Sequence, residues 1–323
     1  MTPVLKTVLL RLGLGVVTLF LVTLLVFFAV NLMPGDFATE ILGQEAAPET
    51  VAAFQRELGL DRPAMQRYVH WIGGAMQGDL GTSFAGAGSG TTRTVTSLVG
   101  PRLVNTLFLA TATAVIAVPL SLLLGIFAAL YRNSLYDRFV NLVSLTTVSV
   151  PEFFIAYILL LLLAIKFPIF YALANVSPDM PLAERLTRCA LPILTLVLAI
   201  VAHMMRMTRA AIINLLASPY VQTARLKGVG PRRLIFHHVL PNAWAPIATV
   251  VALTLAYLVV GVVVVEVVFN YPGIGRLIVD SVTSRDIPVV QACALIFAVI
   301  YISLNLLADT VSIVTNPRLL HPR

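Results

Sequence analysis

The chain has 323 residues, of which 59% are apolar and only 11% charged, far from the balance of a soluble domain. It therefore reads as an all-α integral membrane protein. The formal charge of +7 must be divided between two sides of a bilayer before it speaks for nucleic acid or an acidic partner. Two cysteines, Cys189 and Cys293, are too few for a disulfide framework and read as buried apolar groups.

Residues 1–11 carry Lys6 and Arg11 ahead of the charge-free run Leu12–Val30. That run is longer than the apolar core of a secretory signal peptide, so a retained first span is predicted over 12–32. The segment 33–102 follows. In it Val51, Phe54 and Leu58, then Met65, Val69, Ile72 and Met76, recur at helical spacing, predicting two amphipathic helices separated by Gly59 and Pro63. They lie on the membrane surface, cover the helix bundle, or dock substrate directly. Gly86–Gly90 reads as a flexible tip.

Further spans are predicted over 103–131, 139–165, 189–213, 242–266 and 289–311, each near or above the ~20 residues that cross a ~30 Å hydrocarbon layer. They are joined by segments 166–188, 214–241 and 267–288 and followed by a tail, 312–323. Six spans put both termini on one side. Loops on that side carry twelve bases and one acid, Asp137, in short segments, against ten bases and eleven acids on the other. Bases in short loops mark the cytoplasm, so both termini and the 214–241 segment are expected inside.

That segment is a basic island with the grammar of two short helices. Ser218 and Pro219 suit N-cap and first turn, Gly228 supplies a left-handed stop, and Pro231 opens a second helix to about Val239. Arg225, Lys227, Arg232 and Arg233 come without an acid. Such a surface is suited to an aqueous partner.

Three acids lie in or at the edge of the membrane: Glu152, Glu266 and Asp309. A carboxylate at mid-span costs about 2.5–3.5 kcal/mol on insertion scales, so it wants a polar partner, a wet cavity or a proton. Counted from Phe139 at ~1.5 Å per residue, Glu152 lies ~20 Å along its helix, next to Pro151, which can kink it. A path or gating role and an internal hydrogen bond both fit Glu152. Glu266 falls near the outer end of the fifth span. Asp309 is near the inner end of the sixth, with Asn305 on the same face, and structural pairing suits both acids.

No P-loop pattern, H-E-x-x-H or C-x-x-C occurs. The sequence gives no case for catalysis, a metal or a cofactor in this chain. An ion-coupled carrier using Glu152 would show inverted repeats and broken helices, and the sequence shows neither. A membrane-embedded enzyme would need more than the lone His203.

The island resembles the cytoplasmic EAA loop of ABC importer permeases, with the pattern E-A-A, three residues, Gly, nine residues, Ile, one residue, Leu-Pro. Gln222, Thr223, Ala224, Gly228, His238, Leu240 and Pro241 fall at those positions. The variant Y-V-x-T-A-R-x-K-G is similar to the dipeptide, oligopeptide and nickel branch, matched by Tyr220, Val221, Thr223, Ala224, Arg225, Lys227 and Gly228. Met33-Pro34-Gly35-Asp36, Leu58-Gly59-Leu60-Asp61 and Gly78-Asp79-Leu80-Gly81-Thr82-Ser83 resemble the B-type subunit of that branch. So do Glu266 with Phe269, Pro272-Gly273-Ile274-Gly275, Arg285-Asp286, and Asn305-Leu306-Leu307 with Asp309. The ending departs at Ser312 and Asn316-Pro317-Arg318.

The resemblance implies a type I permease fold of six helices with a permease core over 95–314, in the cytoplasmic or inner membrane of a bacterium or archaeon. It implies an ATP-driven, binding-protein-dependent importer, first of all for di- or oligopeptides, with nickel, glutathione, an opine or a sugar as alternative solutes. Tyr220, Gln222, Thr223, Ala224, Arg225, Lys227, Gly228, Leu240 and Pro241 are then the ATPase-coupling loop. Glu152, Glu266, Asn305 and Asp309 are candidates for the path or its gating. Implied partners are a C-type permease, two cytoplasmic ATPases holding ATP and Mg, a periplasmic or extracellular solute-binding protein and membrane lipid, with no nucleic acid.

Overall fold

The computed structural model describes residues 3–32, 47–85, 93–177 and 179–315. The Met33-Pro34-Gly35-Asp36 motif, the Gly86–Gly90 tip, and Arg318, Arg323 and the Asn316-Pro317-Arg318 ending lie outside the described residues. In hydrocarbon a backbone N–H or C=O has no water to bond, so apolar runs are driven into helices that satisfy themselves. Among the described residues there is no strand, only an isolated antiparallel bridge between Thr82 and Thr94.

The first helices in order are α1 (Pro3–Asn31), α2 (Pro48–Glu57), α3 (Ala64–Met76), α4 (Val95–Leu130) and α5 (Leu135–Ser149). Next come α6 (Glu152–Leu160, extended by a π-helical Leu161–Lys166), α7 (Leu182–Arg188), α8 (Ala190–Leu216) and α9 (Pro219–Leu226). The last are α10 (Pro231–Arg233, extended by a π-helical Leu234–Val239), α11 (Leu240–Val268), α12 (Ile274–Thr283) and α13 (Ile287–Thr315). Five of these helices are long and apolar enough to cross a membrane, and the pair α5–α6 makes a sixth span if it is counted as one.

That pair goes beyond the kink expected next to Pro151 and overturns the expectation that no helix is broken: its two limbs meet at 102°. Pro151 has no N–H to give, and its ring keeps the preceding residue out of the helical region. Val150 is accordingly extended, at φ −98° and ψ 129°. Glu152 therefore opens a new helix rather than lying ~20 Å along an old one, as a straight count at 1.5 Å per residue would have it.

The chain divides into two compact units. The larger comprises residues 1–15, 107–271 and 300–323. Its core joins Leu191, Leu196 and Ile200 of α8 to Leu258, Val262 and Val265 of α11, with Leu109 and Ala117 of α4 and Ala156 of α6 packed alongside. Small residues set how closely such helices approach. A Cβ on Gly125 of α4 would stand 2.7 Å from the Met205 carbonyl oxygen of α8, closer than any side chain tolerates. At the other end of α5, Arg209 Nε and Nη2 donate to Asp137 Oδ1 and Oδ2 at 2.7 and 2.8 Å.

Asp309 of α13 pairs with Arg11 of α1 at 3.0 Å. Asn305, four residues away, turns back to donate to its own helix at the Tyr301 carbonyl. Glu266 is fully buried in the last turn of α11, and its backbone carbonyl accepts from Tyr271 N at 2.8 Å.

The smaller unit comprises residues 16–106 and 272–299. Here α3 lies against α1: Thr23 Oγ1 and Tyr68 OH share a 2.8 Å hydrogen bond, and Phe27 meets the rings of Tyr68 and Trp71. Two side chains of α4 hold the start of α12, Asn105 donating to the Pro272 carbonyl and Thr106 Oγ1 accepting from Ile274 N, each at 2.9 Å. The buried Asp286 carboxylate accepts from Ser83 Oγ, from Phe84 N at 3.0 Å and from Ala85 N at 3.4 Å. Leu58, Leu60, Phe84 and Ile287 share one apolar cluster. The short signatures read separately along the sequence are thus partners in space.

Candidate coupling surface and translocation cavity

Both candidate sites belong to the larger unit. The coupling surface is built on α9, which is only eight residues long and would not persist alone in water. It is held by its inner face: Val221 and Ala224 pack with Leu234 and Val239 of the following segment and with Ala129, Ile212, Ala243 and Ile247. Pro219 occupies the first turn, Ser218 is extended before it, and Gly228 leaves the helix at φ 78°, a conformation open to glycine. Tyr220 OH donates to the His238 carbonyl at 3.2 Å, tying α9 to the returning π-helical segment. Ser218 does not cap with its side chain, which instead donates to the Leu215 carbonyl.

The opposite face is exposed. Gln222, Thr223, Arg225 and Lys227 are exposed, and between the two bases Leu226 is 89% exposed. Of the residues expected to couple, Ala224 faces the core, and Leu240 and Pro241 lie in the first turn of α11 rather than at the end of a loop. Ala224 thus helps to seat the helix. Leu226 was not among the expected residues, and its signal was there to find: an apolar side chain off the Val221–Ala224 face, where a water-facing helix calls for a polar one.

The second site is a cavity of about 500 Å³ enclosed by α5, α6, α8 and α11. Thr147, Glu152, His203, Thr254 and Tyr257 supply its polar lining, with aliphatic side chains such as Ile155 and Ile200 between them. The bend at Val150 and Pro151 forms part of the wall. The Glu152 carboxylate extends towards Gly261 of α11, where a Cβ would come within 3.4 Å of Oε2. A larger residue at 261 would take the space the carboxylate uses.

Glu152 alone of the four path candidates lines this cavity; Glu266, Asn305 and Asp309 are not in its wall. His203, noted in the sequence only as a solitary imidazole, joins it there, because the bend brings the start of α6 to the same space as α8. Beyond the end of α11, Tyr271 meets Arg185, whose guanidinium lies 4.0 Å over the Phe108 ring. Burial pushes the Tyr271 phenol up more strongly than Arg185 draws it down, so it stays neutral.

An all-helical membrane chain with a surface-presented short basic helix and a polar cavity between bent and straight spans has the parts of a transporter subunit. Residues 121–321 match the family described as the binding-protein-dependent transport system inner membrane component, and residues 4–95 match its N-terminal region. The chain belongs to this family, the inner-membrane permeases of ABC importers, in its dipeptide and oligopeptide branch. It is a multi-pass inner-membrane transport component rather than an enzyme.

Among individual proteins it is similar to the glutathione transport system permease protein GsiC of Escherichia coli, with 37% identity over 93% of this chain and 94% of that protein. It is also similar to the probable peptide ABC transporter permease protein y4tP of Sinorhizobium fredii, at 34% identity over 96% and 97% of the two chains.

Proposed function

We propose that this chain forms one half of the translocation path of an importer for short peptides, glutathione among them, and that α9 transmits the work of a cytoplasmic ATPase to it. The observation that carries the reading is the two-faced construction of α9: Val221 and Ala224 fix it to the bundle while Arg225, Leu226 and Lys227 project outward. A short helix clamped on one side and bare on the other moves as a rigid body with whatever docks on it. ATP can drive alternating access only by favouring one conformation over another, and this contact is the route by which that preference reaches the spans.

The rest of the assembly follows from the division of labour. A C-type permease supplies the other half of the path, two ATPases bind ATP and Mg, and a solute-binding protein delivers the solute from outside. Glu152, with His203 in the same cavity, lines the path. The solute class is supported by the likeness, along nearly the whole chain, to a glutathione permease and a probable peptide permease.

The test is reconstitution. The tagged chain is co-purified with its partners, placed in liposomes with ATP inside, and offered labelled dipeptides, tripeptides, glutathione, nickel and sugars with the binding protein. ATP-dependent uptake of a peptide is expected. Uptake only of nickel or a sugar would replace the solute class, and recovery of a lone chain whose uptake ignores ATP would overturn the reading.

A further inference from the structure

The smaller unit holds a cavity of its own, of about 400 Å³. Its charged lining is one-sided: Arg56, Arg62, Arg67 and His70 against a single acid, Asp79. Asp79 is already engaged, accepting from Gly81 N at 2.9 Å, and Arg56 Nε donates to the Ala52 carbonyl. Asn31 Nδ2 likewise donates to the Phe27 carbonyl. Arg67 Nε and Trp71 Nε1 are buried, and among the described residues no acceptor reaches either. A buried donor left unmatched is costly, and two of them beside arginines call for an acceptor carrying negative charge.

The wall also indicates where that acceptor comes from. Phe27 and Asn31, at the end of the apolar span Val8–Asn31, line the cavity, so it opens at the level where hydrocarbon gives way to head groups. Along α1, Leu21, Leu25 and Phe28 are exposed. On α3, Met65, Val69 and Met76 are exposed while Tyr68 and Trp71 turn inward to Phe27. This is the pattern of a helix lying in a membrane interface, apolar side to the acyl chains.

We infer that the Arg62, Arg67 and Trp71 cavity is an oxyanion site that takes the phosphodiester of a membrane phospholipid head group. Arg67 and Trp71 donate to the phosphate oxygens, Arg62 adds its charge from the rim, and the acyl chains run along the exposed leucines of α1. The Arg67 guanidinium, 5.9 Å from the centre of the Phe27 ring, is held ready by that contact.

The transporter assembly, purified in a neutral detergent, is titrated with phosphatidylglycerol, and bound lipid is counted by native mass spectrometry. Two variants are compared with it: R62Q/R67Q, and the conservative W71F, which keeps the ring and removes the N–H. Loss of charge-assisted hydrogen bonds should weaken phosphatidylglycerol retention about tenfold in R62Q/R67Q and less in W71F. Diacylglycerol with the same chains should not distinguish the three proteins. A parallel titration with inorganic phosphate separates the sources: arginine-dependent phosphate binding without lipid retention would keep the oxyanion site and assign it to a soluble anion. Equal retention of phosphatidylglycerol and equal phosphate affinity in all three proteins would overturn the proposal.

Discussion

Arg209 grips Asp137 at two points across 72 positions of sequence, Nε to Oδ1 and Nη2 to Oδ2. The Asn133 amide and the Asn141 side chain complete the shell of the carboxylate. Removing one member of such a pair strands the other charge, so D137A should cost about 3 kcal/mol. R209K keeps the charge but not the planar fork and should lose part of that stability. Thermal unfolding in detergent reads both; a D137A chain as stable as wild type would remove the pair from the account.

Gly228 and Leu226 test the coupling surface from two directions. Proline cannot adopt φ 78° or supply the N–H that Gly228 gives to the Arg225 carbonyl. G228P is therefore expected to insert normally and lose uptake while the assembled complex still hydrolyses ATP. L226D alters a side chain that touches little of its own chain, so the fold should hold while the ATPase recovered by co-purification falls. Wild-type uptake by a well-expressed G228P, or full ATPase recovery with L226D, would remove α9 from the coupling route.

Gly261 gives the Glu152 carboxylate its room. G261A adds a methyl group at ordinary contact distance and should transport normally. G261V intrudes on the carboxylate, and it and E152Q should both reduce uptake without reducing the amount of assembled transporter. Unimpaired uptake by both would take Glu152 out of the path.

Gly125 carries a purely structural prediction. Its missing side chain lets α4 approach the backbone of α8 at Met205 and the Thr208 side chain. Even alanine there forces one helix away, and G125L should destabilise the bundle by about 1–3 kcal/mol or more. Lower yield and a lower unfolding temperature are the expected readouts; an unchanged melting curve would mean that the helices are not packed so closely.

Much of this was legible in the sequence because lipid simplifies the grammar. Charge-free runs mark spans, and Ser218-Pro219, Gly228 and Pro231 mark α9 and the turn after it, since each acts on its own backbone. The cavity was less legible. Glu152 could be named from its chemistry, but its place in one cavity with His203 depends on a bend that Pro151 permits without requiring. Likewise, Asp137 and Arg209 read as two loop charges helping to set topology. Only packing α5 on α8 makes them a pair, and the same is true of Asp309 with Arg11.

The 102° bend between α5 and α6 also dictates how that span is made. One limb has 15 residues, and the other has nine of α helix and six of π helix, so each reaches at most ~22 Å against a ~30 Å layer. Neither can be threaded across the membrane as a separate unit. Only the two limbs together are long enough to reach across it, and the first limb is fixed to α8, where Ser144 donates to the Ala202 carbonyl at 2.7 Å. The shape of that span is thus tied to a helix that comes after it in the sequence.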